Sequence, residues 1–404
     1  MSFSLADHEF MAKAIKLAQR GQFTTSPNPN VGCVIVKNNE IIGEGWHKKA
    51  GTGHAEVNAL VNLTAEQTTD ATAYVTLEPC SHFGRTPPCA NQLIDANIKR
   101  VVVAMLDPNP LVAGKGILLL MQAGVDVKLG LLELDARALN LGFLSRMETK
   151  RPFVSVKMAS SLDGKSALGN GQSKWITGAE ARADVQTYRA KACAILSTAT
   201  TVIADNAKLN VRAEQLNFSY PFDDVVKEIR QPIKIILDSR GDLDDKHQSE
   251  LALFDGKEST VSGTSIIIVR KDSDELPASA HNNVSYIQLP YDESANRFDI
   301  GALLDWCGKN EINNLWVEAG AKLAASFVEQ SLFDQLIVYI APKIMGMNAQ
   351  DVMPVGPFDA MEQTIELQLK TLTLLGQDMR LSYVNKSYVN KVAVKAVDIK
   401  ESEE

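Results

Sequence analysis

Two long stretches in which helix-like segments alternate with short β-rich runs meet at Glu148-Thr149-Lys150-Arg151-Pro152, a polar passage that ends in proline. Alternation of this kind is the signature of helices packed over a sheet, so each stretch predicts an α/β domain. The expected division is a first domain over 1–149, a second over 150–384 and a charged tail over 385–404. A chain of 404 residues leaves each half long enough for its own core. No internal repeat relates the halves, so they are expected to be separate folds.

In the first half, Phe10, Met11, Ala14, Ile15 and Ala18 recur at helical spacing behind Asp7, read as the N-cap, and stop at Gly21. Val31 to Val36 and Ile41 to Trp46 are apolar runs around Lys37-Asn38-Asn39-Glu40, which predicts a hairpin. Helices are then expected near 55–63, 88–97, 115–123 and 132–147, with strands near 72–77, 100–105 and 125–129. The second half predicts strands near 153–159, 192–197, 233–238, 264–270, 314–318 and 335–341, and helices near 178–190, 301–309 and 320–331. Residues 205–230 and 271–300 read as irregular surface insertions, and the tail as frayed.

A formal charge of −8 argues against a nucleic-acid partner, whose binders concentrate positive charge. Five cysteines, an odd number in a chain this long, give no disulfide framework and suit a reducing cytoplasm. The N-terminus lacks a basic region followed by an apolar one, and no apolar run reaches a membrane span, so neither export nor insertion is expected.

His54-Ala55-Glu56 opens a predicted helix, while Pro79-Cys80 and Cys89 follow a predicted strand. One imidazole and two thiols leave a fourth zinc position open for water, as catalytic sites do. Glu56, two residues from His54, is placed to carry a proton to a leaving amine, the combination found in zinc deaminases. A structural zinc site completed by His82 or His47 is the bland alternative, and unrelated cysteines beside a surface helix another. The general deaminase signature has two residues between its cysteines, whereas eight, Ser81 to Pro88, separate them in this chain.

That longer insert is itself distinctive. Ser26-Pro27-Asn28-Pro29-Asn30-Val31-Gly32, His54-Ala55-Glu56-Val57 and the run Thr76-Leu77-Glu78-Pro79-Cys80 through Pro87-Pro88-Cys89 resemble the bifunctional deaminase/reductase family of riboflavin biosynthesis. The resemblance implies a cytidine-deaminase-like three-layer domain with His54, Cys80 and Cys89 as zinc ligands and Glu56 as proton shuttle. Asn28, His82 and Arg85 are candidates to hold the base or the ribose phosphate, or else are loop hydrogen bonders.

In the second half no Gly-x-Gly pair carries the third glycine of a dinucleotide fingerprint. Gly164-Lys165-Ser166 resembles the end of a phosphate loop, but Ala159 stands where its first glycine is required. Glu318-Ala319-Gly320 instead joins a strand to a helix whose first amides suit a cofactor phosphate.

The segments Lys157 to Gly164, Ser173 to Thr177, Thr200 to Asn206 and Val317 to Gly320 resemble the reductase half of the same family, a dihydrofolate-reductase-like domain. The resemblance implies contacts to NADPH from Ala159, Trp175, Thr201, Asp205, Gly320, Ala321, Lys322, Leu323, Ala324, Ala325 and Ser326. Ser173, Arg189, Leu209, Arg212 and Glu318 are implied as substrate contacts, and two arginines suit a phosphate. Trp175 as a core aromatic and Arg189 as a solvated helix residue are the bland alternatives. Where the family follows Ala-Asp with an acidic residue or Asn and then proline, this chain has Asn206-Ala207.

The implied chemistry is hydrolytic deamination of 2,5-diamino-6-(ribosylamino)-4(3H)-pyrimidinone 5′-phosphate, then NADPH-dependent reduction of the ribosyl group of 5-amino-6-(5-phosphoribosylamino)uracil to ribityl. Lys157, Asp205 and Glu318 are candidate acids for the second step. Expected partners are these small phosphoribosyl pyrimidines, with no nucleic acid and no membrane, and a homo-oligomer stays open. Two other classes compete: a polynucleotide-editing zinc deaminase, which needs a basic groove, and a non-enzymatic zinc-stabilised scaffold.

Overall fold

The structure is a computed structural model and describes residues 3–81, 87–110, 112–216, 229–255, 265–278 and 281–385. It separates into two compact units, one of Met1–Arg151 with Pro221–Arg230, the other of Pro152–Tyr220 with Gln231–Glu404. The chain therefore leaves the first unit after Arg151 and contributes to it again at Arg230, whose backbone N–H donates to Phe23 O at 3.4 Å. No helix among the described residues is long and apolar enough to cross a membrane.

In chain order the first unit comprises α1 (Leu5–Ala18), β1 (Gly32–Lys37), β2 (Glu40–Trp46), α2 (Ala55–Leu60), α3 (Ala65–Thr68) and β3 (Thr72–Val75). There follow α4 (Cys89–Asp95), β4 (Arg100–Val103), α5 (Lys115–Gln122), β5 (Asp126–Leu129), α6 (Glu133–Ala138) and α7 (Leu141–Thr149). The strands form one sheet in the order β2-β1-β3-β4-β5, antiparallel through β3 and parallel beyond it. Successive side chains of a strand point to opposite faces, so each strand feeds two cores. Val34, Val36, Tyr74 and Val102 pack beneath α1 and α7, while Cys33, Ile35, Val75, Val101 and Val103 pack beneath α2, α4 and α5. This is the three-layer arrangement expected.

Two expectations need correction. Asp7 is not the N-cap of α1; Ser4 is, and Asp7 at the third helical position returns the bond to Ser4 as a capping box. The single helix expected over 132–147 is two, because Asn140 between them is tied to a distant loop. Its Oδ1 accepts from Asn30 N at 2.7 Å and its Nδ2 donates to Asn30 O at 2.9 Å.

The second unit contains β6 (Phe153–Ser161), β7 (Lys165–Ala167), α8 (Ala179–Lys191), β8 (Ala194–Thr198), α9 (Ala199–Asp205), β9 (Ile233–Leu237), α10 (Asp245–Glu250) and β10 (Ile266–Lys271). It continues with β11 (Val284–Leu289), β12 (Tyr291–Asp292), β13 (Arg297–Phe298), α11 (Ile300–Lys309) and β14 (Asn314–Val317). The last elements are α12 (Ala321–Glu329), β15 (Gln335–Ala341), β16 (Gln350–Asp351), β17 (Leu367–Leu375) and β18 (Asp378–Asn385). Nine strands form the main sheet in the order β11-β10-β9-β8-β14-β6-β15-β18-β17, parallel from β11 to β15 and antiparallel at β18 and β17. Both faces are covered, as parallel sheets require. Leu196, Ile235, Leu315 and Val317 enter one core, and Ile195, Ile236 and Trp316 the other.

The stretch 271–300 is not simply an insertion: Val284–Leu289 within it is a strand that pairs in parallel with β10. Helix α9 and the hairpin β17–β18 are further additions to the expected elements. Residues 386–404, read as a frayed tail, lie outside the described residues.

Candidate functional sites

In the first unit the site is assembled by two helix starts. His54 is the N-cap of α2 in extended conformation, and Cys89 is the first residue of α4 behind Pro88. Helix α2 reaches its place because β2 offers no side chain at Gly45: a Cβ there would sit 2.2 Å from Ala55 O and 2.3 Å from Ala59 N. Cys80 is held by its carbonyl, which accepts from Ala90 N at 3.2 Å, and by its thiol, which accepts from Cys89 N at 3.3 Å.

His54 Nδ1, Cys80 Sγ and Cys89 Sγ lie within 4.8 Å of one another, Nδ1 being 3.3 Å from Cys89 Sγ and 3.6 Å from Cys80 Sγ. Tetrahedral zinc, with bonds of about 2.3 Å to sulfur and about 2.0–2.1 Å to nitrogen, separates nitrogen and sulfur donors by about 3.5 Å. The three groups therefore fit a zinc ion in both spacing and donor chemistry. Contact with Cys89 and His54 pulls the Cys80 thiol down, and contact with Cys80 draws His54 up. Glu56, 3% exposed, follows His54 by two residues in the first turn of α2, and burial raises its carboxyl to about 7.

His47 does not complete a fourth ligand position. Its Nδ1 lies 3.1 Å from Gly53 O and its Nε2 3.1 Å from Asn28 Nδ2, so both ring nitrogens are engaged elsewhere. Asn28 is thus a partner of His47. His82 and Arg85 lie outside the described residues.

One residue of the Thr76 to Cys89 run that carried no expected role proves structural. The buried carboxylate of Glu78 accepts backbone N–H groups from Gly114 and Gly116, both at 2.9 Å, and from Asp107 at 3.2 Å. It fastens the turn before Cys80 to the loop that opens α5. An acidic residue directly after an apolar strand was the available signal.

In the second unit Arg189 and Glu318 face each other. Arg189 Nε and Nη2 donate to the two oxygens of Glu318 at 2.8 and 2.6 Å, Nη1 donates to Asn210 O at 2.9 Å, and Trp316 Nε1 donates to Glu318 at 2.5 Å. Burial opposes the Glu318 charge, but Arg189 outweighs it and holds the carboxyl at about 2. Arg189 is therefore not a solvated helix residue. Nor is Trp175 a core aromatic: it is 64% exposed, with the Arg182 guanidinium 4.7 Å above its ring.

Trp175, Ala179, Arg182, Ala183, Arg212 and Glu214 line a cleft of about 640 Å³. Arg182, not anticipated, stands with Arg212 there, and burial together with Arg189 pushes Arg212 below its ordinary value. The Trp175 loop is held by Lys343 Nζ, which donates to Trp175 O at 2.6 Å, and by Lys174 Nζ, which donates to Asp205 O at 2.9 Å. Ser173 is part of that loop and half-buried. Leu209 is buried in the core with a φ of 50°. Asn206 caps α9 with a φ of 48° and accepts from Ala252 N at 2.8 Å, which anchors the loop despite Ala207.

Thr201 N donates to Thr198 Oγ1 at 3.2 Å at the start of α9. Gly320 is the N-cap of α12, extended and without a side-chain cap bond, and a Cβ there would meet nothing. Uncapped amides with open space before them suit a cofactor phosphate. Of the segment Gly320 to Ser326, Ala324 and Ala325 are buried, Ala321 and Leu323 half-buried against the core, and Lys322 exposed, while Ser326 Oγ donates to Lys322 O at 3.0 Å. Ala159 is half-buried on β6, two residues beyond Lys157. Burial lowers the Lys157 ammonium, with Glu318 acting in the opposite sense.

Residues 5–105 match the cytidine and deoxycytidylate deaminase zinc-binding region, and residues 152–381 the RibD C-terminal domain. The chain is 44% identical over 384 residues to riboflavin biosynthesis protein RibD of Escherichia coli strain K12, covering 94% of this chain and all of that one. It is 44% identical to RibD of Haemophilus influenzae over 96% of this chain and 99% of that one. Among solved structures, Acinetobacter baumannii RibD is similar with a TM-score of 0.82 and 41% identity, covering 94% of this chain and 98% of that one. A Thermotoga maritima structure described as a diaminohydroxyphosphoribosylaminopyrimidine deaminase/5-amino-6-(5-phosphoribosylamino)uracil reductase gives 0.78 at 30% identity, over 94% and 99% of the two chains.

Proposed function

Because the chain belongs to the RibD family of riboflavin biosynthesis, whose members join a deaminase to a reductase, we propose that its two units divide those reactions between the zinc-ligand cluster and the Trp175 cleft. The observation that carries this reading is the convergence of His54, Cys80 and Cys89 beside the buried carboxyl of Glu56. His54, Cys80 and Cys89 hold zinc, which when bound supplies a nucleophilic water near neutral pH. Glu56 would hold and move the proton that the departing amine of the pyrimidine takes up, a role suited to a carboxyl raised to about 7. Thiol ligands of this kind need a reducing compartment, which favours the cytoplasm.

The second unit binds the deaminated product and a nicotinamide cofactor, NADPH, which when bound supplies hydride. The chain's share is positioning and charge. Arg212 and Arg182 offer guanidinium donors to the substrate phosphate in the cleft beside Trp175. The first amides of α12 would receive a cofactor phosphate, and Thr201 and Asp205 on α9 are further cofactor contacts that the family resemblance implies. Of the three candidate acids, Glu318 is held ionised by Arg189, whereas burial loosens the proton on Lys157 Nζ. Lys157 therefore supplies the proton as the ribose ring opens.

The test follows ammonia release and NADPH oxidation in the intact protein. Glu56→Gln lowers deamination by about 10²–10⁴-fold, while NADPH oxidation with pre-deaminated substrate persists. Loss of that oxidation in a folded Glu56→Gln protein overturns the division of labour.

A further inference from the structure

Glu318 stands just beyond the carboxyl end of β14, at the edge of the parallel strands where ligands of α/β folds bind. Held ionised by Arg189, its carboxylate can only accept hydrogen bonds, with two acceptor positions on each oxygen. How those positions are filled decides what Glu318 can offer a substrate. Arg189 takes one on each oxygen, through Nε to Oε1 and Nη2 to Oε2. Trp316 Nε1 takes the second position on Oε1, at 2.5 Å. Among the described residues Oε1 is thereby filled, and Oε2 keeps one acceptor position.

Both its strand and its ring prepare Trp316 for this bond. The Glu318 N–H still donates to Leu196 O at 2.9 Å, so strand geometry continues through it, and residues two apart share a face. The indole is 2% exposed and stacks on the Tyr188 ring of α8, with centroids 4.9 Å apart and an interplanar angle of 11°. Tyr188 immediately precedes Arg189, so one helix supplies both the ring that fixes Trp316 and the guanidinium that faces Glu318. A buried indole has a single N–H to satisfy, and leaving it unpaired is costly, so Trp316 keeps its hold on Oε1.

Strand β6 lies beside β14 with Val156 opposite Val317, which puts Lys157 opposite Glu318 one step further along. Val156 and Met158 enter one core and Trp316 the other, so Lys157, which alternates with the first two, shares the Trp316 face with Glu318. The acceptor position left on Oε2 thus belongs to the same face as the ammonium assigned above to proton transfer.

We propose that Trp316 is a positioning residue of the reductase: by occupying Oε1 it confines the substrate's hydrogen bond to Oε2, so that a hydroxyl or N–H of the phosphoribosyl pyrimidine meets Glu318 from one direction. The proposal rests on the reading that the second unit binds the deaminated pyrimidine with Glu318 in contact.

NADPH oxidation by the full-length protein with pre-deaminated substrate tests it. Trp316→Phe keeps a ring against Tyr188 and removes the N–H. It lowers kcat/KM for the pyrimidine by about 10-fold, the size of one charge-assisted hydrogen bond, and changes KM for NADPH by less than about 2-fold. Benzothienylalanine in place of Trp316 keeps the bicyclic shape, puts sulfur where the N–H was, and gives the same loss, which separates the bond from packing. Glu318→Gln also lowers kcat/KM for the pyrimidine, because Trp316 claims the amide oxygen and the substrate donor then meets the NH2 group. In that background Trp316→Phe adds less than about 2-fold, since its effect passes through the carboxylate. An unchanged kcat/KM in the benzothienyl protein, or a loss from Trp316→Phe of equal size with and without Glu318→Gln, overturns the proposal. A Glu318→Gln protein that keeps full kcat/KM for the pyrimidine overturns instead the reading beneath it, that Glu318 touches the substrate.

Discussion

Replacing Glu318 by Gln removes one charge from a buried pair while leaving an oxygen to accept from Trp316 Nε1. The side chains of Arg189 and Glu318 are 14% and 11% exposed. Leaving a buried arginine without its carboxylate costs about 3–5 kcal/mol, and the remaining exposure puts this pair at the lower end. Linkage gives the same size: a carboxyl held at about 2 instead of 4.5 corresponds to about 3 kcal/mol. The folded-state value lies below the unfolded one. The stabilisation is therefore complete above about 4.5 and is lost as pH falls through about 2. Calorimetry at pH 7 resolves the transition of the second unit, and Glu318→Gln lowers it by about 6–12 °C, at about 2–4 °C per kcal/mol for a domain of this size. On acidification from pH 5 to pH 2 the wild-type and variant transitions converge. A difference of less than about 1 kcal/mol at pH 7, or one that stays constant across that range, refutes the assignment of Glu318 and Arg189 as a stabilising buried ion pair.

Cys80→Ser removes one of three zinc donors and reduces the metal content measured by elemental analysis well below one per chain, with the reductase activity retained; an unchanged stoichiometry counts against the assigned ligands. Gly116→Ala puts a methyl 1.9 Å from Pro79 O, a backbone atom that cannot turn aside. The gain in helix propensity of about 1 kcal/mol is outweighed by an overpacking cost of about 1–3 kcal/mol or more. The first-unit transition falls and zinc dissociates faster in a chelator-exchange assay, because the displaced turn carries Cys80.

The cluster of His54, Cys80 and Cys89 was legible in the chain because its pattern is local. His54 and Glu56 are two residues apart, and Cys80 and Cys89 flank one distinctive insert. The sheet strands were legible where apolar runs are continuous, as in Ile233 to Leu237, since a strand buried on both faces needs nothing else. What escaped depends on distant partners. The break at Asn140 is made by Asn30, 110 residues away, and nothing in Leu139-Asn140-Leu141 announces it. The pairing of Glu318 with Arg189, 129 residues earlier, likewise has no local signal. The hairpin β17–β18 did leave a signal: Gly376-Gln377 between a leucine- and threonine-bearing run and the run Met379 to Val384 has the form of a two-residue turn, with Gly376 at a φ of 62°.

The return of the chain to the first unit at Arg230 has a consequence for biosynthesis. A ribosome releases the chain from its N-terminus onward, and a domain that is one continuous segment can finish folding as soon as that segment emerges. In this chain the last strand and helix of the first unit are complete at Thr149, but Phe23 receives the backbone N–H of Arg230 only after some 80 more residues have been made. At about 5–20 residues per second that interval is about 4–16 s. During it His54, Cys80 and Cys89 are already present, and β6, α8, β8 and α9 emerge before Arg230 does.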